Sequence, residues 1–266
     1  MSDDKNKETV REVVRDRYAK VATAGSSCCS DSSPCCCPPA GAVDDVSARL
    51  GYSEEELASA PEGANLGLGC GNPQAIADLK PGEVVLDLGC GAGFDCFLAA
   101  RAVGPEGSVI GVDMTPEMLV KARLNAEKVG MDNVDFRLGE IEHPPVADAS
   151  VDVIISNCVI NLSPDKPAVL REAFRVLKPG GRLAVSDVVA TAPLPESWRA
   201  DMRLLSGCIS GAADVEDLRS MLEEAGFADV DIRPVDESRE FIREWQPESG
   251  LEDYVLSAAI RAVKPR

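Results

Sequence analysis

The sequence predicts an α/β protein, a doubly wound and mostly parallel Rossmann-like sheet with helices on both faces. Two observations carry this. Between residues 83 and 190 short apolar runs alternate with helical segments, the rhythm of successive βαβ units. The first run, "EVVLDLG", ends in a glycine-rich turn, "GCGAG", that opens a helix. In an open parallel sheet that turn lies where ligands bind, beyond the carboxyl ends of the strands.

The elements follow in order. Val10, Val14, Tyr18 and Val21 stand at helical spacing and predict an amphipathic helix over 5–22. Residues 23–43, dense in Gly, Ser, Pro and Cys, read as a loop. Ser53 ahead of "EEELASA" reads as a capped short helix. "PEGANLGLGCGNPQAIADL" is a glycine-rich loop leading into a helix with Pro73 near its first turn. A strand at 83–89, a helix at 93–103 and a strand at 108–114 come next. The following helix has Thr115 as N-cap, Pro116 at its first position and Gly130 as its stop. Strands at 134–140 and 150–157 precede "SPDKPAVLREAFRVLKPGG", which repeats the same start and stop logic, and "RLAVSDVVA" is the fifth strand. From Trp198 the rhythm changes. Helical segments at 198–206 and 214–225 lead to strand-like "ADVDIRPV" and "YVLSAAIRAV", a region expected either to close the sheet or to cap it.

Composition narrows the function. With 45% hydrophobic residues the chain of 266 can bury a sizeable core. A formal charge of −18 with no block of Lys and Arg argues against nucleic acid and anionic membrane surfaces as partners. No run reaches the roughly 18 apolar residues of a membrane span. The opening "MSDDKNKETVREVV" lacks the apolar stretch of a secretory signal. A cytoplasmic location is therefore expected. In that setting ten cysteines point to metal-binding, catalytic or redox thiols, not to a disulfide framework. The single histidine, His143, lies between Glu142 and Pro144 and reads as a loop residue.

Gly89, Gly91 and Gly93 are spaced G-x-G-x-G, unlike the G-x-G-x-x-G of a dinucleotide fingerprint. Asp87 lies just inside the first strand. Asp113 ends the second, where a carboxylate can take both hydroxyls of a ribose. These residues, with "FRVLKPGG" further on, resemble in their order the class I S-adenosylmethionine-dependent methyltransferases. An NAD-binding fold is the other reading of a glycine turn. The resemblance implies that Asp87, Gly89 and Gly91 flank the methionine part of the cofactor and that Asp113 holds the ribose. It also implies that Met114 flanks the adenine. "LGEIEHPPV" resembles the adenine-contacting loop through Glu140 and Ile141, and Asn157 at the end of the fourth strand joins the implied set.

Three cysteines stand apart, each in its own loop: Cys70 in "LGCGNP", Cys158 in "ISNCVINL" and Cys208 in "GCISGA". Together these segments resemble the arsenite methyltransferases, over most of the chain. The resemblance implies that the three collect trivalent arsenic as a tris-thiolate. The chemistry suits it, because a soft ion prefers thiolates and three sulfurs leave the arsenic lone pair free for the sulfonium methyl. Other readings stand beside this one. Buried cysteine is often only a small apolar side chain, which is the reading given to Cys90 and Cys96. Zinc is a third, although none of the three has a partner at C-x₂₋₄-C spacing. A methyltransferase for a small organic substrate such as a quinone would leave the thiols idle. A non-enzymatic metalloid-sequestering protein would leave the cofactor residues idle.

The cluster "SSCCSDSSPCCCPP" holds Cys28, Cys29, Cys35, Cys36 and Cys37. Adjacent cysteines diverge in most backbone conformations, so an accessory role is expected, either as a capturing or reducing thiol or as an idle arm. The resemblance implies one such N-terminal cysteine working with Cys70. A thiol reductant of the glutathione or thioredoxin type is the expected co-substrate, and an arsenite–thiol complex the expected substrate. The organisation expected is an N-terminal helix and Cys-rich arm (1–60), a cofactor-binding domain (61–195) and a C-terminal arsenic-binding or cap region (196–266).

Overall fold

The parallel core arises from strands too apolar to face water. β1 (Val84–Leu88) is buried along almost its whole length, as a strand covered on both faces must be. β2 (Ser108–Asp113) and β4 (Val151–Asn157) flank it in parallel; β3 (Val134–Leu138) pairs with β2 and β5 (Leu177–Ala190) with β4. The full order is β3-β2-β1-β4-β5-β8-β7. β8 (Val255–Val263) and β7 (Ala228–Pro234) add antiparallel beyond β5. The C-terminal region therefore closes the sheet, one of the two expectations. The two-residue β6 (Ala213–Asp214) pairs with β5 off this path. The computed structural model describes residues 2–23, 43–199, 201, 204 and 207–266.

Alternate strand residues point to opposite faces, and two apolar layers result. Val85, Val109, Val153 and Ile155 pack against α4 (Gln74–Ala77), α5 (Phe94–Val103) and α6 (Pro116–Val129). Leu86, Leu88, Ile154 and Val185 face α7 (Lys166–Val176) and the α9 helix (Val215–Glu224). The remaining described helices are α1 (Ser2–Thr23), α2 (Val43–Arg49), α3 (Glu54–Ser59), α8 (Glu196–Arg199) and α10 (Ser238–Trp245). A third apolar cluster gathers at the carboxyl ends of the strands and contains Cys70, Cys158 and Cys208 together with Val188, Ile242 and Val255.

Thr115 takes the expected N-cap position of α6, but without a side-chain cap. Its backbone N–H instead donates to Asp113 Oδ1 at 2.8 Å. In α7 the cap is Asp165, whose Oδ1 accepts from Ala168 N at 3.0 Å, with Pro167 in the first turn. Of the loop read over 23–43, residues 24–42 lie outside the described residues. Ser53 does form the expected capping box with Glu56.

Candidate active site

A cleft of about 1100 Å³, partly open to solvent, lies over the carboxyl ends of β1, β2 and β4. The glycine turn forms its floor. Gly89 has φ +75°, and a Cβ there would meet Val159 Cγ1 at 2.4 Å, so only glycine lets the turn pass beneath the loop after β4. Above Gly91 a Cβ would touch nothing nearer than Met118 Sδ at 4.0 Å, so the space belongs to the cleft. Asp87, Gly89, Gly91 and Asp113 all line it, as do Met114, Ile141 and Asn157.

Glu140 is not among the residues lining the cleft. Its carboxylate is drawn to α1, with Arg11 Nε 3.3 Å away and Arg15 3.8 Å away. Two residues on, the buried Glu142 lines the cleft in its place, accepting from Ser163 Oγ at 2.7 Å and pairing with Arg11 at 3.4 Å. Helix α1 thus crosses the rim and brings Arg11, Val14 and Tyr18 to the cleft. His143 is exposed in its loop, as expected.

The two ends of the cleft differ in chemistry. Asp113 accepts from Gly91 N at 2.9 Å and from Thr115 N at 2.8 Å, one bond on each oxygen, which leaves a lone pair on each for a diol. Burial pushes its carboxyl up, against those backbone bonds. At the other end two buried acids sit together. Burial, then the neighbouring Asp95, hold Asp87 well above the carboxylate range, while a hydrogen bond from Cys96 Sγ at 3.2 Å opposes this. Burial also pushes Asp95 up to about 6, although Tyr52 Oη donates to it at 2.8 Å and Asn157 Nδ2 at 3.3 Å. Two buried carboxylates a few residues apart suit a cationic amino group. Sequence reasoning missed Asp95 and Tyr52, because neither lies in a glycine turn or at a strand end.

Asn157 ties this end to the thiols. Its Nδ2 also donates to Gly71 O at 2.9 Å, and its Oδ1 accepts from Cys70 N at 3.0 Å. The loop carrying Cys70 is fixed further by Ser257 Oγ, which donates to Cys70 O at 2.6 Å. Cys158 follows directly on β4, its N–H held by Ser186 O at 2.8 Å. Cys208 Sγ donates to Cys158 O at 2.9 Å. The structure therefore brings Cys70, Cys158 and Cys208 together from separations of 88 and 50 residues, all three free and buried. Cys158 (φ +60°) and Cys208 (φ +64°) both adopt the left-handed region, a conformation that costs a non-glycine residue about 1–3 kcal/mol and collects at functional sites.

The surroundings of all three thiols favour the protonated form. For Cys158 the hydrogen bond with Cys208 favours the thiolate, but the bond with Cys70, burial and the nearby Asp187 outweigh it and push it well up. The bond with Cys158 and then burial raise Cys208 well up, and burial raises Cys70. Cys90 and Cys96 pack in the layer beneath the cleft, as expected, and Cys90 also reaches its lining. Cys28, Cys29, Cys35, Cys36 and Cys37 lie outside the described residues.

Comparison with known proteins joins these observations to a family. Residues 79–226 match the family described as a methyltransferase domain. An arsenite methyltransferase of Halobacterium salinarum is 55% identical over 98% of this chain and 68% of its own length. The chain belongs to the arsenite methyltransferases. A relative from Aquipseudomonas alcaligenes is 48% identical over 63% of this chain, which spans about half (51%) of it. The crystal structure of an arsenic(III) S-adenosylmethionine methyltransferase from Chlamydomonas reinhardtii aligns with a TM-score of 0.61 at 36% identity. That alignment covers 83% of this chain and 73% of the other. No described helix is long and apolar enough to cross a membrane.

Proposed function

We propose that this arsenite methyltransferase moves methyl groups from S-adenosylmethionine to trivalent arsenic held by Cys70, Cys158 and Cys208. The observation that carries the reading is the convergence of three free buried thiols beside a cleft floored by the glycine turn, with Cys158 in both. The cleft fits the cofactor. Asp113 offers two lone pairs to a ribose, Asp87 and Asp95 face a cationic amino group, and Met114 and Ile141 supply the apolar walls an adenine needs. Glu140, taken up by Arg11 and Arg15, leaves the edge of that base to its neighbours. When bound, S-adenosylmethionine supplies a sulfonium-activated methyl group that the arsenic lone pair takes by in-line displacement.

The chain's own residues position the partners. Each arsenic–sulfur bond forms as a thiol proton leaves with an arsenic hydroxide, giving water, so protonated thiols are the right starting state. Arsenic brings no proton to be removed in the transfer itself, and no general base is required. Asn157 sets the register between the Cys70 loop and the cofactor end of the cleft, and such register is worth several kcal/mol of barrier. Helix α1 over the rim keeps water from the reacting centre.

The transfer leaves arsenic formally pentavalent. Two thiols closing to a disulfide return the two electrons needed for a further round, and a glutathione- or thioredoxin-type reductant restores the thiols. Among the chain's thiols, Cys28, Cys29 or Cys35–Cys37 act with Cys70 in this step. The functional division is an N-terminal arm (1–60), a cofactor-binding domain (61–195) and a C-terminal region that contributes Cys208 (196–266).

The test is turnover. Purified protein should consume S-adenosylmethionine only with arsenite and a thiol present. Consumption with a quinone or another organic acceptor, and none with arsenite, overturns the reading.

A further inference from the structure

We propose that Cys70, Cys158 and Asp187, with Cys208 as the remaining donor, form a site for a divalent d¹⁰ cation of the zinc and cadmium class. The site overlaps the arsenic position but uses a ligand that arsenic does not need. One ligand atom from each of Cys70, Cys158 and Asp187 lies within 4.8 Å of the other two. A tetrahedral zinc, with sulfur at about 2.3 Å and oxygen at about 2.0–2.2 Å, has donors roughly 3.5–3.8 Å apart. A short inward turn of these side chains closes that shell. Cys208 Sγ lies beside this trio, donating to Cys158 O at 2.9 Å, and a turn of its side chain brings it to the fourth corner.

Asp187 is built as a ligand. It is 2% exposed and sits one residue beyond Ser186, the partner of Asn157 at the end of β4. Val188 N donates to its Oδ1 at 2.8 Å and Asn161 Nδ2 at 2.9 Å, while Asn161 N reaches Oδ2 at 3.3 Å. These bonds fix the carboxylate from behind, the support that metal-ligating carboxylates ordinarily have. Lys166 lies within electrostatic reach of Asp187 and Cys208 and offsets part of the negative charge.

Geometry separates the two occupants. Trivalent arsenic bonds three sulfurs and keeps a lone pair where a fourth donor would stand. A d¹⁰ cation has no lone pair and accepts a mixed sulfur–oxygen shell of four. Each ligating thiol gives its proton to solvent and no electrons move. A cation so held occupies the thiols and blocks arsenite.

Zinc binding needs neither arsenite nor cofactor, so its failure leaves the methylation reading standing. The probe is zinc, titrated into the reduced full chain bearing serine at 28, 29, 35, 36 and 37, against a chromophoric chelator. One zinc per chain is expected, with at least tenfold weaker binding in Asp187→Asn. Arsenite added afterwards should displace the zinc one for one. Cadmium-113 NMR of the chain with Asp187 intact should show a resonance in the mixed sulfur–oxygen range, which decides the matter even where Asp187→Asn does not fold. An all-sulfur resonance, unchanged zinc affinity in a folded Asp187→Asn chain, or no stoichiometric binding overturns the proposal.

Discussion

Asp95 has the most distinctive electrostatics in the cleft. Burial holds its carboxyl near 6, against hydrogen bonds from Tyr52 and Asn157. It is charged above that pH and neutral below, so attraction for a cationic amino group is full at pH 7.5 and fades as pH falls through 6. Calorimetry with S-adenosylhomocysteine should show affinity falling several-fold between pH 7.5 and 5. Asp95→Asn should bind weakly throughout, with a flatter profile. A steep acid loss in that variant would point to another group. The motif-bearing residues were legible from sequence because their chemistry is tied to local geometry: glycines at a turn, an acid at a strand end. Asp95 lies inside α5, and its partners Tyr52 and Asn157 are 43 and 62 residues away. No local pattern signals such a pairing. Asp187 lies inside β5, three residues before its end, but next to Ser186, which is level with the end of β4, so the strand-end rule that singled out Cys158 reaches it only once the register is known.

The glycine turn and α1 are the elements on which the site depends. Gly89→Ala meets both a positive φ and Val159 at 2.4 Å. The expected cost is about 1–3 kcal/mol or more, seen as a lower melting temperature together with lost cofactor binding. Helix α1 is held to the rim by Lys7–Asp165 at 2.9 Å and by Arg11 with Glu140 and Glu142. The half-exposed Lys7–Asp165 pair contributes under about 1 kcal/mol to folding, whereas Arg11 faces the buried Glu142, whose charge loses its partner without it. Arg11→Ala should therefore lower the melting temperature and raise KM for S-adenosylmethionine several-fold. A large stability loss with unchanged KM would make α1 structural. The helical period of α1 was legible in Val10, Val14, Tyr18 and Val21. Its docking over the cleft was not, because Arg11 and Arg15 read as solvated charges until Glu140 and Glu142 are set opposite them. The same docking pairs Glu140, expected at the adenine, with Arg11 and Arg15.

At the scale of the molecule, a formal charge of −18 acts together with three buried aspartates. Asp87, Asp95 and Asp187 all have carboxyls raised by burial, the last two to about 6. A raised folded value means stability that is present below the ordinary carboxylate range and is lost as pH rises through 6. Acidification from pH 8 to 6 should raise the melting temperature, and added salt should do so too by screening self-repulsion. A melting temperature that falls on both changes would show that paired surface charges dominate instead. That β1 to β5 run parallel was legible, because strands joined by crossover helices must; their order β3-β2-β1-β4-β5 was not. The antiparallel return of β8 between β5 and β7 was not, because the strand-like segments at 228–235 and 254–263 carry no sign of their pairing partners.

Cys70, Cys158 and Cys208 are proposed to hold the arsenic. Arsenic X-ray absorption on the chain loaded with one equivalent of arsenite tests it most directly. Three sulfur neighbours are expected in the parent and in the chain with serine at 28, 29, 35, 36 and 37, and fewer than three in Cys158→Ser and in Cys208→Ser. Three sulfurs retained in both single variants, or lost only when the N-terminal cluster is replaced, would place the arsenic elsewhere.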